Sequence, residues 1–246
     1  MIMIIRTPET DGSGPHWSTM ARSSLSMQVY AELEAALFEG RLFPGQRLKI
    51  RDLAAAMGVS ETPVREAIMQ LVRTGALRME TARAITVAGL TLAQYLELRT
   101  IRFELEGLAV EEAARRATRE EIDALAAAHE QLMAAEAAHD AAAANKANWA
   151  FHGGLYRAAR MPQLMEIINT IWHRNGPMHA LHYPDAPPTY PGRHRHLDIL
   201  DALRAADPAA ARAALRADLV EGGANLVRLL AEREAKGSAP APGKKR

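Results

Sequence analysis

The sequence predicts a mainly α-helical chain, with three helices and a two-stranded hairpin at its N-terminal end and an all-α bundle after them. Three observations carry that expectation. Hydrophobic residues are 48% of the chain but aromatics only 5%; alanine, the best helix former, is abundant, and the aromatics that favour strands are scarce. From Leu92 onward every segment repeats its apolar residues at helical spacing. Strand-like alternation is confined to Leu77 and Met79, then Ile85 and Val87, about a short turn.

With 246 residues, the chain suits one large domain or two modest ones. A charged fraction of 24% beside that apolar content marks the bulk as globular. There is no cysteine, which excludes disulfides, thiolate nucleophiles and Cys-type zinc sites. No apolar run approaches the roughly 20 residues that span a bilayer. The opening Met-Ile-Met-Ile-Ile-Arg is too short for a signal peptide and has no basic n-region. A soluble cytoplasmic protein with no membrane partner is expected.

Residues 1–21 carry Pro8, Gly12, Gly14 and Pro15 without periodicity and read as a tail. Val29, Leu33, Ala36 and Leu37 then form an apolar helical stripe that Gly40 ends, and Phe43-Pro44-Gly45 turns the chain. Arg51 to Met57 gives a short helix closed by Gly58. Ser60 caps the next, with Pro63 in its first turn, where a missing N–H is harmless. That helix runs through Val64, Ala67, Ile68 and Leu71 to Gly75, and the hairpin follows. Residues 22–90 form this first unit.

The second unit, 91–235, opens with a helix from Leu92 to about Ala117, with Leu98, Ile101, Leu105 and Leu108 facing inward. Thr118 and Glu121 make a capping box for a helix through Ile122, Leu125, Leu132 and Met133. Another spans about 140–159. Pro162 opens one through Leu164, Ile167, Ile168, Ile171 and Trp172, and a loop with Pro177, Pro184, Pro187, Pro188 and Pro191 follows. Helices over about 193–206 and 208–234 close the unit, the last started by Asp207-Pro208. Residues 236–246, with a basic end, read as a second tail. Residues 22–91 hold 9 Lys+Arg against 7 Asp+Glu, a charge of +2; residues 92–235 hold 16 against 20, a charge of −4.

Two short helices parted by Gly58-Val59-Ser60 have helix-turn-helix spacing, and the hairpin after them is placed as a wing. The second helix of such a pair lies in the DNA major groove with its N-terminal residues at the bases. Ser60, Glu61, Thr62 and Arg65 occupy that turn. Thr62 suits a phosphate or a base, Arg65 a phosphate or guanine, and Arg51 opens the previous helix towards the same groove. Solvated charges on a small helical domain are the alternative reading.

Leu-Phe-Pro-Gly-Gln-Arg-Leu (42–48), Asp-Leu-Ala-Ala-Ala-Met-Gly-Val-Ser (52–60) and Thr-Pro-Val-Arg-Glu-Ala-Ile (62–68) closely resemble the winged helix of GntR-type bacterial transcriptional regulators. The resemblance covers about 60 residues and implies that Arg51, Thr62 and Arg65 contact DNA. Many members carry arginine where this chain has Glu61; a carboxylate accepts from cytosine N4 and not from guanine N7/O6, which implies a different operator. The wing tip, usually glycine, is Thr81-Ala82-Arg83, with Arg83 either reaching DNA or remaining an exposed turn charge.

Eight of the nine histidines lie between His129 and His196. Asn148 and His152 are four apart on a face shared with Leu155; His196 shares a face with Leu200 and Leu203, and Asp218 with Leu215. Three helices thus turn amide, imidazole or carboxylate inward, as bundles do to build metal and ligand sites. Each is also readable as a satisfied core residue. His173, Arg174, His179 and His182 lie near the proline-rich loop and read either as lining a pocket mouth or, for the histidines, as surface groups; His194, two residues from His196, reads as facing elsewhere.

An all-helical second unit resembles the FCD ligand domain of the FadR-type subgroup, on Arg102-Phe-Glu-Leu-Glu106, Asn148-Trp-Ala-Phe-His152 and His196-Leu-Asp-Ile-Leu-Asp-Ala-Leu203. Metal-binding members use one Asp and three His; carried over by position, these become Asn148, His152, His196 and Asp218. The carboxylate has moved helix while the ligand charge stays −1. The Gly153-Gly154 pair loosens that helix. Two imidazoles with oxygen ligands suit a divalent Zn, Ni, Mn or Fe ion. The resemblance further implies a small organic-acid effector, for which Arg102 is a bidentate anchor or else half of a structural salt bridge, with Arg99 and Arg174 as weaker candidates.

These readings converge on a metabolite-responsive regulator, a repressor and homodimer on a near-palindromic double-stranded operator. Three alternatives stand beside it: a metal-free regulator holding its effector through Arg102 and hydrogen bonds, a sensor of the metal itself, and a metal-dependent hydrolase or lyase using His152, His196 and Asp218.

Overall fold

The stripe of Val29, Leu33, Ala36 and Leu37 is buried throughout and seats the first helix, α1 (Ser24–Phe38). The computed structural model describes residues 24–81 and 84–237. The two tails at 1–21 and 238–246, and Arg83 at the wing tip, lie outside the described residues.

After α1 come β1 (Arg47–Leu48), α2 (Ile50–Met57), α3 (Glu61–Thr74), β2 (Leu77–Thr81) and β3 (Ala84–Val87). Gly58 and Gly75 close α2 and α3 in the left-handed conformation, at φ 66° and 85°, where a side chain is strained. Ser60 is the N-cap of α3, though its hydroxyl makes no cap bond. The wing is a three-stranded antiparallel sheet of order β1-β3-β2, with Leu48 paired to Ile85 and Leu77 to Val87. The expected two strands are therefore corrected to three: β1 is two residues long, too short for alternation to show.

The rest is helical: α4 (Leu92–Arg116), α5 (Arg119–Ala137), α6 (Ala141–Ala158), α7 (Pro162–His179), α8 (Arg195–Arg204), α9 (Pro208–Glu221) and α10 (Ala224–Ala235). The chemistry of their starts is local. Thr91 with Gln94 and Thr118 with Glu121 form complete capping boxes, and Asp140 and Asp207 accept from Ala143 N and Ala210 N. Helix α4 packs on α6, α7 and α9, α5 on α6 and α8, and α8 on α9. One apolar core runs from α1 and α3 through α4–α9. Tyr95, Met178, Leu181, Leu226 and Leu230 form a smaller cluster under α10.

Three expectations are corrected here. Pro177 lies inside α7 rather than in a loop, two residues before its last residue His179. The helix expected over 208–234 breaks at Gly222-Gly223 into α9 and α10. On α4 the inward face is Tyr95, Leu98, Arg102, Glu106, Ala109, Val110 and Ala113, while Ile101 and Leu108 are 42% and 37% exposed. The helix carries two apolar stripes, and the buried one contains an ion pair that disguises it. Finally, α6 continues unbroken through Gly153-Gly154, and a Cβ on Gly154 would lie 2.9 Å from Leu125 Cδ2 of α5.

Candidate functional site

Ser60, Glu61, Thr62 and Arg65 stand on the first turn of α3 and are all exposed, beside backbone N–H groups that no intrahelical carbonyl takes. Arg65 Nη2 lies 3.8 Å from Glu61 Oε2, one turn back. Arg51 opens α2 with its side chain 83% exposed, 3.7 Å from Asp52. Arg51 on α2 and the four residues at the start of α3 are thus open to solvent.

Residues of α4, α5, α6, α7 and α9 and of the segment after α7 line a cavity of about 60 Å³. His152 on α6 and Asp218 on α9 line it, and the buried His196 on α8 meets both. His152 Nε2 is 3.2 Å from His196 Nε2 and 3.4 Å from Asp218 Oδ2, and His196 Nε2 is 3.9 Å from Asp218 Oδ1. All three side chains are buried. Asn148, one turn before His152, lines the same cavity. The structure thus brings together three of the four expected ligands by measured distances and sets the fourth on the same wall.

Ligands at about 2.0–2.2 Å from a shared ion stand roughly 3.0–3.5 Å apart, so this spacing fits a metal. The tautomers fit as well. Tyr156 donates its phenol proton to Glu106 at 2.6 Å, so its oxygen accepts from His152 Nδ1 at 3.2 Å. That leaves the lone pair on Nε2, the atom that faces His196 and Asp218. Burial holds the His196 imidazole well below its ordinary value, against the pull of Asp218. Burial pushes the Asp218 carboxyl up, but His196 and His152 outweigh it and hold it below the usual carboxylate range. A neutral His196 imidazole and an ionised Asp218 carboxylate are the forms a metal requires. His196 Nδ1, buried and without a partner, is the one discordant atom.

Arg102, Asn145, Trp172, Asn175, His179 and His182 also line the cavity. Arg102 is both cavity wall and salt bridge: its Nε and Nη2 donate to Glu106 at 2.7 and 3.3 Å. Glu106 also accepts from Tyr156 and from Trp172 Nε1 at 3.0 Å. Burial pushes His182 down to about 4 and holds His179 well below its ordinary value.

Several expected positions are corrected. Arg174 is exposed and reaches the end of α3, with Nε 3.4 Å from Thr74 O; it touches the DNA-facing unit, not the cavity. Arg99 lies over the Phe103 ring at 5.9 Å, outside the cavity wall. His173 and His179 are buried, not surface groups. His194 does not face elsewhere: it lines the cavity and is the N-cap of α8, with Nδ1 accepting from His196 N at 3.1 Å. The helical rule that set it aside does not hold one residue before the helix begins. Among residues not singled out in the sequence, His129 joins His194 and His196 in a second imidazole group, and Tyr156 fixes the His152 tautomer. The i, i+4 spacing of Tyr156 to His152 was its available signal.

Comparison with known proteins places both halves of the chain. Residues 25–87 match the model of bacterial regulatory proteins of the gntR family, and residues 97–221 match the FCD domain model. The HTH-type transcriptional regulator McbR of Escherichia coli is 37% identical over 169 residues, 69% of this chain and 76% of that protein. The probable D-xylose utilization operon transcriptional repressor of Paenarthrobacter nicotinovorans is 28% identical over 80% of this chain and 86% of its own length. The solved structure of E. coli McbR/YncC superposes with a TM-score of 0.77 at 32% identity, covering 87% of this chain and all of that one.

Proposed function

This chain belongs to the gntR family of bacterial regulatory proteins and carries an FCD domain; on that premise we propose a metal-containing, metabolite-controlled repressor. It is a transcriptional regulator and not an enzyme. In this reading residues 22–90 read DNA and residues 91–235 bind the ligand and pair two copies into a homodimer. The two heads then meet the half-sites of a near-palindromic operator in the cytoplasm. No helix of the described residues is long and apolar enough to cross a membrane.

One observation carries the ligand half of the proposal: three buried metal-type side chains from three separate helices approach one another within 3.9 Å beside the cavity. His152, His196 and Asp218, with Asn148 beside them, would hold a divalent Zn, Ni, Mn or Fe ion. A bound ion supplies a positive centre and open coordination positions for ligand oxygens. The effector is a small oxygen-bearing metabolite, the class that includes the organic acids the resemblance implies, and Arg102 completes its wall. Ligand binding lowers operator affinity to the extent that the ligand prefers the arrangement of heads that does not fit DNA.

Helix α7 is the route between the halves. Trp172, Asn175 and His179 line the cavity. From the other side of α7, Arg174 meets α3 and His173 meets Glu34 of α1, with Nε2 2.5 Å from its carboxylate. The exposed Ile101 and Leu108 of α4 supply an apolar face for a second copy.

Selection of bound fragments from a random DNA library, with elemental analysis of the same untagged protein, tests this reading. A near-palindromic site and about one metal per chain, lost in His152→Ala, are expected. Recovery of no preferred sequence sinks the operator assignment, and no metal after loading sinks the ligand assignment. A monomer by light scattering, unchanged in Ile101→Glu/Leu108→Glu, sinks the homodimer.

A further inference from the structure

Each imidazole of the His152, His196 and Asp218 group is held by a neighbour. Tyr156 fixes His152 through Nδ1, and the His196 ring stacks on Phe151, with centroids 3.7 Å apart and planes at 5°. Asp218 is a carboxylate on α9, free in principle to turn about its own side-chain bonds. Among the described residues no lysine or arginine pairs with it; its ionic neighbours are His152 and His196. Its hydrogen bond comes from Tyr190, whose hydroxyl is 3.0 Å from Oδ1. An ionised carboxylate only accepts, so the phenol donates. Oδ2 is then the oxygen turned to the imidazoles, 3.4 Å from His152 Nε2, while Oδ1 is 3.9 Å from His196 Nε2.

Contacts other than Asp218 place Tyr190. It stands in the segment that joins α7 to α8. Just before it, Pro187 O and Thr189 Oγ1 lie 2.6 and 3.2 Å from Asn225 Nδ2 of α10. Just after it, the His194 ring lies 4.1 Å from the Tyr190 ring, and His194 is itself fixed as the N-cap of α8. Helices α8 and α10 thus hold the segment from both sides, and the phenol is aimed at α9 rather than trailing Asp218.

Gly222, four residues after Asp218, makes room for it. Its φ of −60° is helical, so the position makes no use of glycine's backbone freedom. What it requires is the absence of a side chain. A Cβ there would lie 2.7 Å from the Tyr190 hydroxyl, and a methyl group would push that hydroxyl off Oδ1.

We propose that Tyr190 is a positioning residue for the metal site, holding Asp218 by Oδ1 so that Oδ2 meets the ion, and that Gly222 keeps the way open for its hydroxyl. The assignment rests on the metal reading above. The test is chelator competition of the full untagged chain with Zn²⁺, together with the visible spectrum of the Co²⁺-loaded chain, whose bands report donor geometry. Tyr190→Phe is expected to weaken metal binding by about ten-fold or more and to change the Co²⁺ bands, because the released carboxylate turns. Gly222→Ala is expected to reproduce both changes, and the double variant to lose little more than Tyr190→Phe alone, as residues acting through one hydrogen bond do. Helix content by circular dichroism stays at the wild-type value throughout. Metal lost with unaltered Co²⁺ bands would mark a merely structural role and overturn the proposal, as would full additivity of the two substitutions. A wild type that binds metal beside variants that bind it equally well loses the Tyr190 assignment alone; a wild type that takes no metal after loading loses the metal reading and this assignment with it.

Discussion

His152 and Tyr156, one turn apart on α6, are joined by a hydrogen bond whose direction is settled elsewhere. The phenol proton is committed to Glu106 at 2.6 Å, so the 3.2 Å contact to Nδ1 runs from the imidazole to the phenol oxygen. His152 is thereby held in the tautomer that presents a lone pair to His196 and Asp218. Removing such an orienting partner lowers metal affinity about 10–100-fold. Tyr156→Phe is therefore expected to weaken metal binding by about ten-fold or more, read by competition with a chelating dye. Helix content stays unchanged by circular dichroism. Unaltered metal affinity would show that the tautomer is set without Tyr156.

The buried imidazoles give the fold an acid limit. Burial lowers His182 from 6.5 to about 4, and holds His179 well below its ordinary value. The unfolded chain takes up the His182 proton near pH 6.5 while the folded chain refuses it until about pH 4. Stability is therefore full above pH 6.5 and falls as pH drops towards 4, by at most about 1.4 kcal/mol per pH unit for each group. His182→Asn is expected to flatten the fall in melting temperature between pH 6.5 and 4.5. Parallel slopes in variant and wild type would reject the assignment.

These histidines mark where the sequence was legible and where it was not. Local signals located the helix starts well: Thr118 with Glu121 and Asp207 with Pro208 act within one turn, so chemistry at neighbouring positions determines them. The His152, His196 and Asp218 constellation was legible because each residue breaks an apolar face. Periodicity failed where a helix has two apolar stripes, as α4 does with Ile101 and Leu108 outside and Arg102 and Glu106 inside. It failed again where an element is too short to repeat, as in β1, and where a residue lies just outside a helix, as His194 does. The burial of His173 and His179 depends on α1, α4 and α6 closing over α7, and no local pattern reports that.

On the DNA side, Arg51 and Arg65 are exposed and, among the described residues, pair with Asp52 and Glu61 at 3.7 and 3.8 Å. Exposed pairs at such distances contribute little to stability. Arg51→Ala and Arg65→Ala are expected to leave the melting temperature within about 1–2 °C while weakening selected operator DNA by about 1–3 kcal/mol each. Fluorescence anisotropy at two salt concentrations separates the roles: a phosphate contact lowers the salt slope, and a base contact lowers sequence preference. Wild-type affinity in both variants would remove α3 from the groove.

Asn145 joins the cavity to the reading head. Its side chain lines the cavity, and its Nδ2 donates to Glu39 O, just past α1, and to His179 O at the end of α7, both at 3.3 Å. A ligand that shifts α6 against α7 acts through this amide on the end of α1, and α1 packs directly on α3. Asn145→Ala leaves two buried carbonyls short of a donor, a loss of about 1–3 kcal/mol. It touches none of His152, His196 and Asp218. Metal stoichiometry is expected to stay at the wild-type value, while the change in hydrogen exchange that metal loading produces over residues 30–40 is lost. Retention of that change in the variant would place the coupling instead on the Glu34 and His173 contact, which Glu34→Gln then examines.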